Sequence, residues 1–199
     1  MSQVRGIIFD LDGTLVDSRL DFDAMRRDMG LPVGVPILEA LAKIDEGPFR
    51  DQMLSIIRDH ELRGADEAVL IEGVAEFLSH IRRRSILTAI LTRNSRECTD
   101  RTLRRLNLTF SQVITREDAP PKPDPTGAKL IAERWALPAR EIIIIGDYLY
   151  DLQAGRRGGM RSVLFAPDER PHYADEADFV LQHFHAAAEL LERIQAHHP

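Results

Sequence analysis

Four consecutive isoleucines, Ile142–Ile145, stand between Glu141 and Gly146. Successive side chains of a strand point to opposite faces, so this run is apolar on both, and a strand covered on both sides is what buries it. The run therefore predicts a mostly parallel sheet held between helices. Further apolar runs lie at residues 5–9, 85–91, 111–115 and 162–165, with a weaker one at 178–181. Between them come helical stripes: Val74, Phe77, Leu78 and Ile81, then Ala128, Ile131, Ala132 and Trp135, each spaced i, i+3, i+4 and i+7. Strands alternating with helices give an α/β fold, a doubly wound, Rossmann-like parallel sheet whose ligands sit beyond the carboxyl ends of the strands. Phe22 and Trp135 read as core.

Residues 17–72 break the alternation. They carry helical patterning without a convincing strand, opened by Pro36 and Pro48 and punctuated by Gly30, Pro32, Gly34, Gly47 and Gly64. The expected organisation is a core of residues 1–16 and 73–199 with a small helical insert at 17–72. Arg19, Arg26, Lys43 and Arg50 of the insert are cations that could reach an anionic ligand, although such residues are more often solvated helix faces. Five of the seven histidines fall at or after His172, ending with His197 and His198, and form no metal-ligand spacing.

Composition narrows the partners. A net charge of −6 with acids and bases interspersed works against a broad grip on a polyanion, so nucleic acid is not expected. The single cysteine, Cys98, has no internal partner, in keeping with a reducing compartment. No apolar stretch approaches the ~20 residues of a membrane span, and the N-terminus lacks the regions of a signal peptide. The expectation is a cytoplasmic protein without a membrane partner, monomeric or homodimeric.

The stretch "IIFDLDGTLVDS", residues 7–18, ends an apolar run with Asp10 and Asp12. Residues two apart on a strand project together, so two carboxylates meet where the strand runs out. Repulsion would raise the pKa of each, and a cation between them would relieve it. Mg²⁺ suits such a place, since it takes one or two carboxylates and completes its octahedron with water and substrate phosphate. A solvated Asp-Gly turn explains the same letters taken alone.

Three further segments follow in order. "ILTRN" ends a strand at Thr92, "PPKPDP" carries Lys122 beyond the next one, and "IIIIGDYLYDLQAG" ends the isoleucine strand with Asp147 and Asp151. Together with "DLDGTLVDS" these resemble the four motifs of the haloacid dehalogenase-like superfamily. The helical insert between the first two looks like that family's type 1 cap, near the phosphoglycolate phosphatase and β-phosphoglucomutase group.

The resemblance implies a role for each matched residue. Asp10 is the nucleophile that becomes an aspartyl-phosphate, and Asp12 the general acid and base. Asp10, the backbone carbonyl of Asp12 and Asp147 hold Mg²⁺, with Asp151 behind them holding a metal-bound water or orienting Lys122. Thr92 and Lys122 grip the phosphoryl group, and Arg93 and Asn94 sit beside them at a helix start that favours an anion. Asn94 also stands at capping-box spacing from Glu97, and Asp147 and Asp151 could be helix-start carboxylates. Tyr148 departs from the pattern, because many relatives carry a small or acidic residue there. The reading is a Mg²⁺-dependent phosphatase for a small phosphorylated metabolite, with phosphoglycolate the first to try. A phosphomutase of the β-phosphoglucomutase type and a non-catalytic phospho-ligand sensor are the alternatives, and an acid at Asp12 speaks against carbon–halogen cleavage.

Overall fold

A computed structural model describes residues 3–196, so His197 and His198 lie outside the described residues. The strands are β1 (Gly6–Phe9), β2 (Val16–Asp17), β3 (Val69–Leu70), β4 (Leu87–Leu91), β5 (Gln112–Ile114), β6 (Ile142–Gly146), β7 (Arg161–Phe165) and β8 (Phe179–Leu181). The helices are α1 (Phe22–Asp28), α2 (Ile37–Leu41), α3 (Pro48–Glu67), α4 (Val74–Arg83), α5 (Arg96–Arg105), α6 (Thr126–Trp135), α7 (Leu149–Arg157) and α8 (Ala187–Ala196). Six strands form one sheet in the order β5–β4–β1–β6–β7–β8, with every neighbouring pair parallel.

The isoleucine run does what its pattern requires. Ile143 and Ile145 pack with Phe9 and Phe77 in one core, Ile142 and Ile144 with Ile8 and Ile131 in the other, and all four are buried. The expected strands fall within two residues of the observed ones. The largest difference is at β4, which begins at Leu87 because residues 84–86 form the turn that ends α4. Ser85 adopts φ +56° there, and the N–H groups of Ser85 and Ile86 donate to the carbonyls of Arg82 and Ile81.

Helices α1, α2 and α3 pack around a separate apolar cluster of Met25, Met29, Ile37, Leu41, Met53 and Ile57. Two expectations for this stretch need correction. Val16 and Asp17 pair antiparallel with Leu70 and Val69, so strands β2 and β3 clip its two ends together. Two residues per strand are too few to leave a period in the sequence. Phe22 is 51% exposed rather than core, because it is the first residue of α1, and the buried face of that helix is marked by Met25. Trp135 is partly buried against the second sheet core, as expected. Helix α3 lies along α5, joined by Arg58–Glu97 and Arg101–Asp66 ion pairs on the surface and by Glu61, which is buried.

Candidate active site

Strand β1 lies between β4 and β6, where the chain reverses the direction in which it builds the sheet, and the carboxyl ends of the strands at such a point are where sheets of this kind take a ligand. Asp10 follows the last residue of β1, and its N–H donates to the Ile145 carbonyl at 2.9 Å. Thr92 follows β4, with its N–H on the Ile114 carbonyl at 3.0 Å, and Asp147 follows β6. Lys122 comes from the loop between β5 and α6, where the Lys122–Pro123 peptide is cis. Its Nζ donates to Oδ1 of Asp10 and to Oδ1 of Asp151, each at 2.6 Å, and its side chain is 3% exposed. Residues 112 and 29 positions away along the chain thus converge on one ammonium.

Asp12 arrives by a different route from the one its spacing suggests. Strand β1 stops at Phe9, so the pleat does not carry Asp10 and Asp12 onto one face. A tight loop does so instead, with the N–H groups of Leu15 and Val16 donating to the Leu11 carbonyl and that of Gly13 to the Val16 carbonyl. Gly13 has φ +75°, and a Cβ there would strike the Asp147 carboxylate, so glycine is required twice over. Asp12 accepts hydrogen bonds from Asn94 Nδ2 and from Ser18.

Asn94 is therefore an Asp12 ligand and not the helix cap. Ser95 caps α5 through the Cys98 N–H, and Glu97 pairs with Arg58. Thr92 Oγ1 accepts the Asn94 N–H at 3.2 Å, which leaves its hydroxyl hydrogen available to a ligand. Arg93 is held by three neighbours: Nη2 donates to both carboxylate oxygens of Glu39 at 2.9 Å, Nη1 to the Lys122 carbonyl, and the guanidinium lies 4.8 Å from the centroid of the Tyr150 ring. Asp151 holds Lys122 with Oδ1 and, as a helix-start carboxylate, accepts the Tyr148 N–H with Oδ2 at 3.1 Å. Of the insert cations, Arg26 bonds Asp23 and the Val35 carbonyl, and Arg50 bonds the Ile44 carbonyl, so both serve the insert itself. Arg19 and Lys43 are exposed.

Burial dominates the electrostatics. It pushes the Asp12 carboxyl up to about 6, with Asp10 adding to the rise and the Ser18 and Asn94 hydrogen bonds opposing it. Asp147 is raised well above the carboxylate range by burial and by the charges of Asp10 and Asp151. Burial raises Asp151 too, against the pull of Lys122. Burial also disfavours the Lys122 charge, but Asp10 and Asp151 outweigh it and hold the ammonium protonated.

These residues fit a hard divalent cation. Carboxylate oxygens of Asp10, Asp147 and Asp151 lie within 4.8 Å of one another, and Lys122 is the one ammonium that bridges two of the three. Oxygen donors, excess negative charge and an Asp147 that resists ionisation without a countercharge match the chemistry of Mg²⁺.

Several contributors were not singled out by the sequence reading. Thr14 Oγ1 donates to Asp147 Oδ1 at 3.1 Å, and Tyr173 Oη to the Asp147 carbonyl at 3.1 Å. Glu61 accepts from Ser95 Oγ at 2.7 Å and from Arg116, which also donates to the Arg93 carbonyl at 3.0 Å. Glu61 did leave a signal: it sits four residues from Ile57 and from Ala65 on the stripe that α3 buries, an acid in an apolar register.

Carboxylates and a lysine gathered at the carboxyl edge of a doubly wound sheet define an aspartate-centred α/β enzyme. The family model described as haloacid dehalogenase-like hydrolase matches residues 23–165. A haloacid dehalogenase-like hydrolase domain-containing protein of Arabidopsis thaliana is 29% identical, covering 96% of this chain and 85% of that one. The pyrophosphatase PpaX of Bacillus velezensis is 30% identical, covering 80% and 82%. Among solved structures, a hydrolase from Pseudomonas syringae superposes with a TM-score of 0.78 at 22% identity, covering 95% and 98%. The chain belongs to the haloacid dehalogenase-like hydrolases. Among the described residues, no helix is long and apolar enough to cross a membrane.

Proposed function

We propose that this hydrolase is a phosphatase that releases phosphate from a small phosphorylated metabolite through an aspartyl-phosphate on Asp10. The observation that carries the reading is the convergence of four segments, bearing Asp10 with Asp12, Thr92, Lys122 and Asp147, at the carboxyl ends of the strands. Lys122 holds Asp10 in one orientation, and with the Thr92 hydroxyl it binds phosphoryl oxygens. An Asp10 oxygen attacks phosphorus, the bond to the ester oxygen breaks, and the leaving alkoxide takes the Asp12 proton. In the second half Asp12, now a carboxylate, takes a proton from the attacking water. A new P–O bond forms, the bond to Asp10 breaks, and inorganic phosphate leaves with Asp10 restored. A carboxyl poised at about 6 can give and then accept that proton near neutrality. Asp10, Asp147 and the Asp12 carbonyl would hold Mg²⁺, which when bound neutralises charge on the transferring phosphoryl group.

The helices of residues 17–72 act as a cap over the crevice in this reading, and the setting is the cytoplasm. The test is phosphate release from phosphoglycolate, sugar phosphates and pyrophosphate, with Mg²⁺ or chelator, for wild type and Asp10→Asn. Metal-dependent release that falls on the order of 10³-fold or more in Asp10→Asn is the expected result. Release that survives in Asp10→Asn overturns the covalent route. A sugar phosphate that isomerises without release makes the protein a mutase.

A further inference from the structure

The chain has three tyrosines, and all three meet beside Asp147. Tyr148 stands edge-on to Tyr150, with ring centroids 5.0 Å apart at 88°, and to Tyr173, 5.7 Å apart at 70°. Tyr173 is fastened to the site by its hydroxyl, which donates to the Asp147 carbonyl, and Tyr148 by its N–H on Asp151. Tyr150 carries Arg93 on its face, and Arg93 is joined to Glu39 of α2. Tyr148 nevertheless stays 50% exposed. Two flanking rings fix its orientation while a large part of its surface faces outward, immediately after the residue that the metal reading uses.

This placement matters because in-line attack by Asp10, in the phosphatase reading, puts the ester oxygen on the side of phosphorus away from Asp10, where a leaving group would meet the exposed rim beside Asp147 and Arg93. The rim offers an oriented aromatic ring, a carboxylate at Glu39 and a guanidinium whose charge Glu39 already offsets. An aromatic ring suits the C–H face of a sugar, and the carboxylate accepts hydrogen bonds from hydroxyl groups. A second anion on the leaving group would face the Glu39 charge and would have to displace it from Arg93.

We propose that Tyr148, with Glu39 and Arg93, forms the leaving-group subsite, and that it selects sugar phosphates over small acyclic acids such as phosphoglycolate. As turnover this rests on the phosphatase reading; as binding it does not. The experiment compares kcat/KM for glucose 6-phosphate and ribose 5-phosphate with that for phosphoglycolate, in wild type, Tyr148→Ala and Tyr148→Phe. Wild type should favour the sugar esters. Tyr148→Ala should lower the sugar-to-glycolate ratio about tenfold, and Tyr148→Phe, which keeps the ring, should hold it within about twofold. A ratio unmoved in Tyr148→Ala, one lowered equally by Tyr148→Phe, or a wild type that favours phosphoglycolate overturns the subsite.

Calorimetry on Asp10→Asn protein separates the two readings. Sugar phosphates should bind at least about tenfold more tightly than inorganic phosphate, an advantage lost when Tyr148→Ala is added. That advantage in a wild type releasing no phosphate from any ester would refute the phosphatase and uphold the subsite. Equal binding of sugar phosphate and inorganic phosphate overturns the subsite.

Discussion

Lys122 is the residue on which the site closes. Its ammonium lies between Asp10 and Asp151, two buried or half-buried carboxylates that would otherwise face each other. Lys122→Met keeps the length of the side chain and removes the charge. Asp151, already raised by burial, would then take up a proton, and Asp10 would lose the cation that keeps its oxygen oriented. Phosphate release is expected to fall by about 10²-fold or more. Lys122→Arg should rescue little of it, because a planar fork does not reproduce one nitrogen placed 2.6 Å from two separate oxygens. Steady-state kinetics of the two variants checks this, and near-normal turnover in Lys122→Met would remove the lysine from the chemistry.

Helix α3 and the start of α5 are coupled by contacts of unequal weight. Arg58–Glu97 is half exposed on both sides, and water and salt screen such a pair until it contributes little. Glu61 is 4% exposed, and its carboxylate holds Ser95 and Arg116, which in turn hold the chain just after Thr92. Breaking such a pair from one side leaves a buried charge uncompensated. Glu61→Ala should therefore cost about 3 kcal/mol in urea unfolding, and Glu97→Ala much less. Equal costs would mean that the buried pair has no special weight. These elements also mark where sequence reasoning reached and where it stopped. Strand β6 was legible because four isoleucines in a row have one comfortable environment, and Asp10, Thr92, Lys122 and Asp147 because each falls at a strand end or just beyond. The β2–β3 clip was not, being two residues per strand. Nor was the Glu61–Arg116 pair, which joins residues 55 apart and forms only when α3 meets the segment that follows β5. The approach of Asp12 to Asp10 was foreseen for the wrong reason, since a loop closed by backbone hydrogen bonds makes it and not the strand pleat.

Over the whole molecule, the site is a place where folding works against ionisation and a cation works with it. Burial pushes the Asp12 carboxyl up to about 6 in the folded chain from its ordinary 3.8, and Asp147 and Asp151 are raised as well. Between those values the native protein holds protons that the unfolded chain has released, so stability falls as pH rises through the folded value. Asp118 and Asp124, lowered from 3.8, titrate below this window and do not offset the trend. From pH 5.0 to 7.5 in chelator, the Asp12 contribution is about 1 kcal/mol, a melting temperature lower by a few degrees. Asp12→Asn should reduce that fall, since its amide does not titrate. Saturating Mg²⁺ should reduce it further, because a cation bound beside Asp147 favours the ionised form of that carboxyl and stabilises the fold that holds it. Thermal melts of both proteins at the two pH values, with Mg²⁺ or chelator, measure all three effects. A wild-type melting temperature that rises with pH in chelator, or the same fall in Asp12→Asn, would show that the Asp12 carboxyl is not held up by its burial. Should Mg²⁺ leave the fall unchanged, the carboxylates at these strand ends would be no cation site.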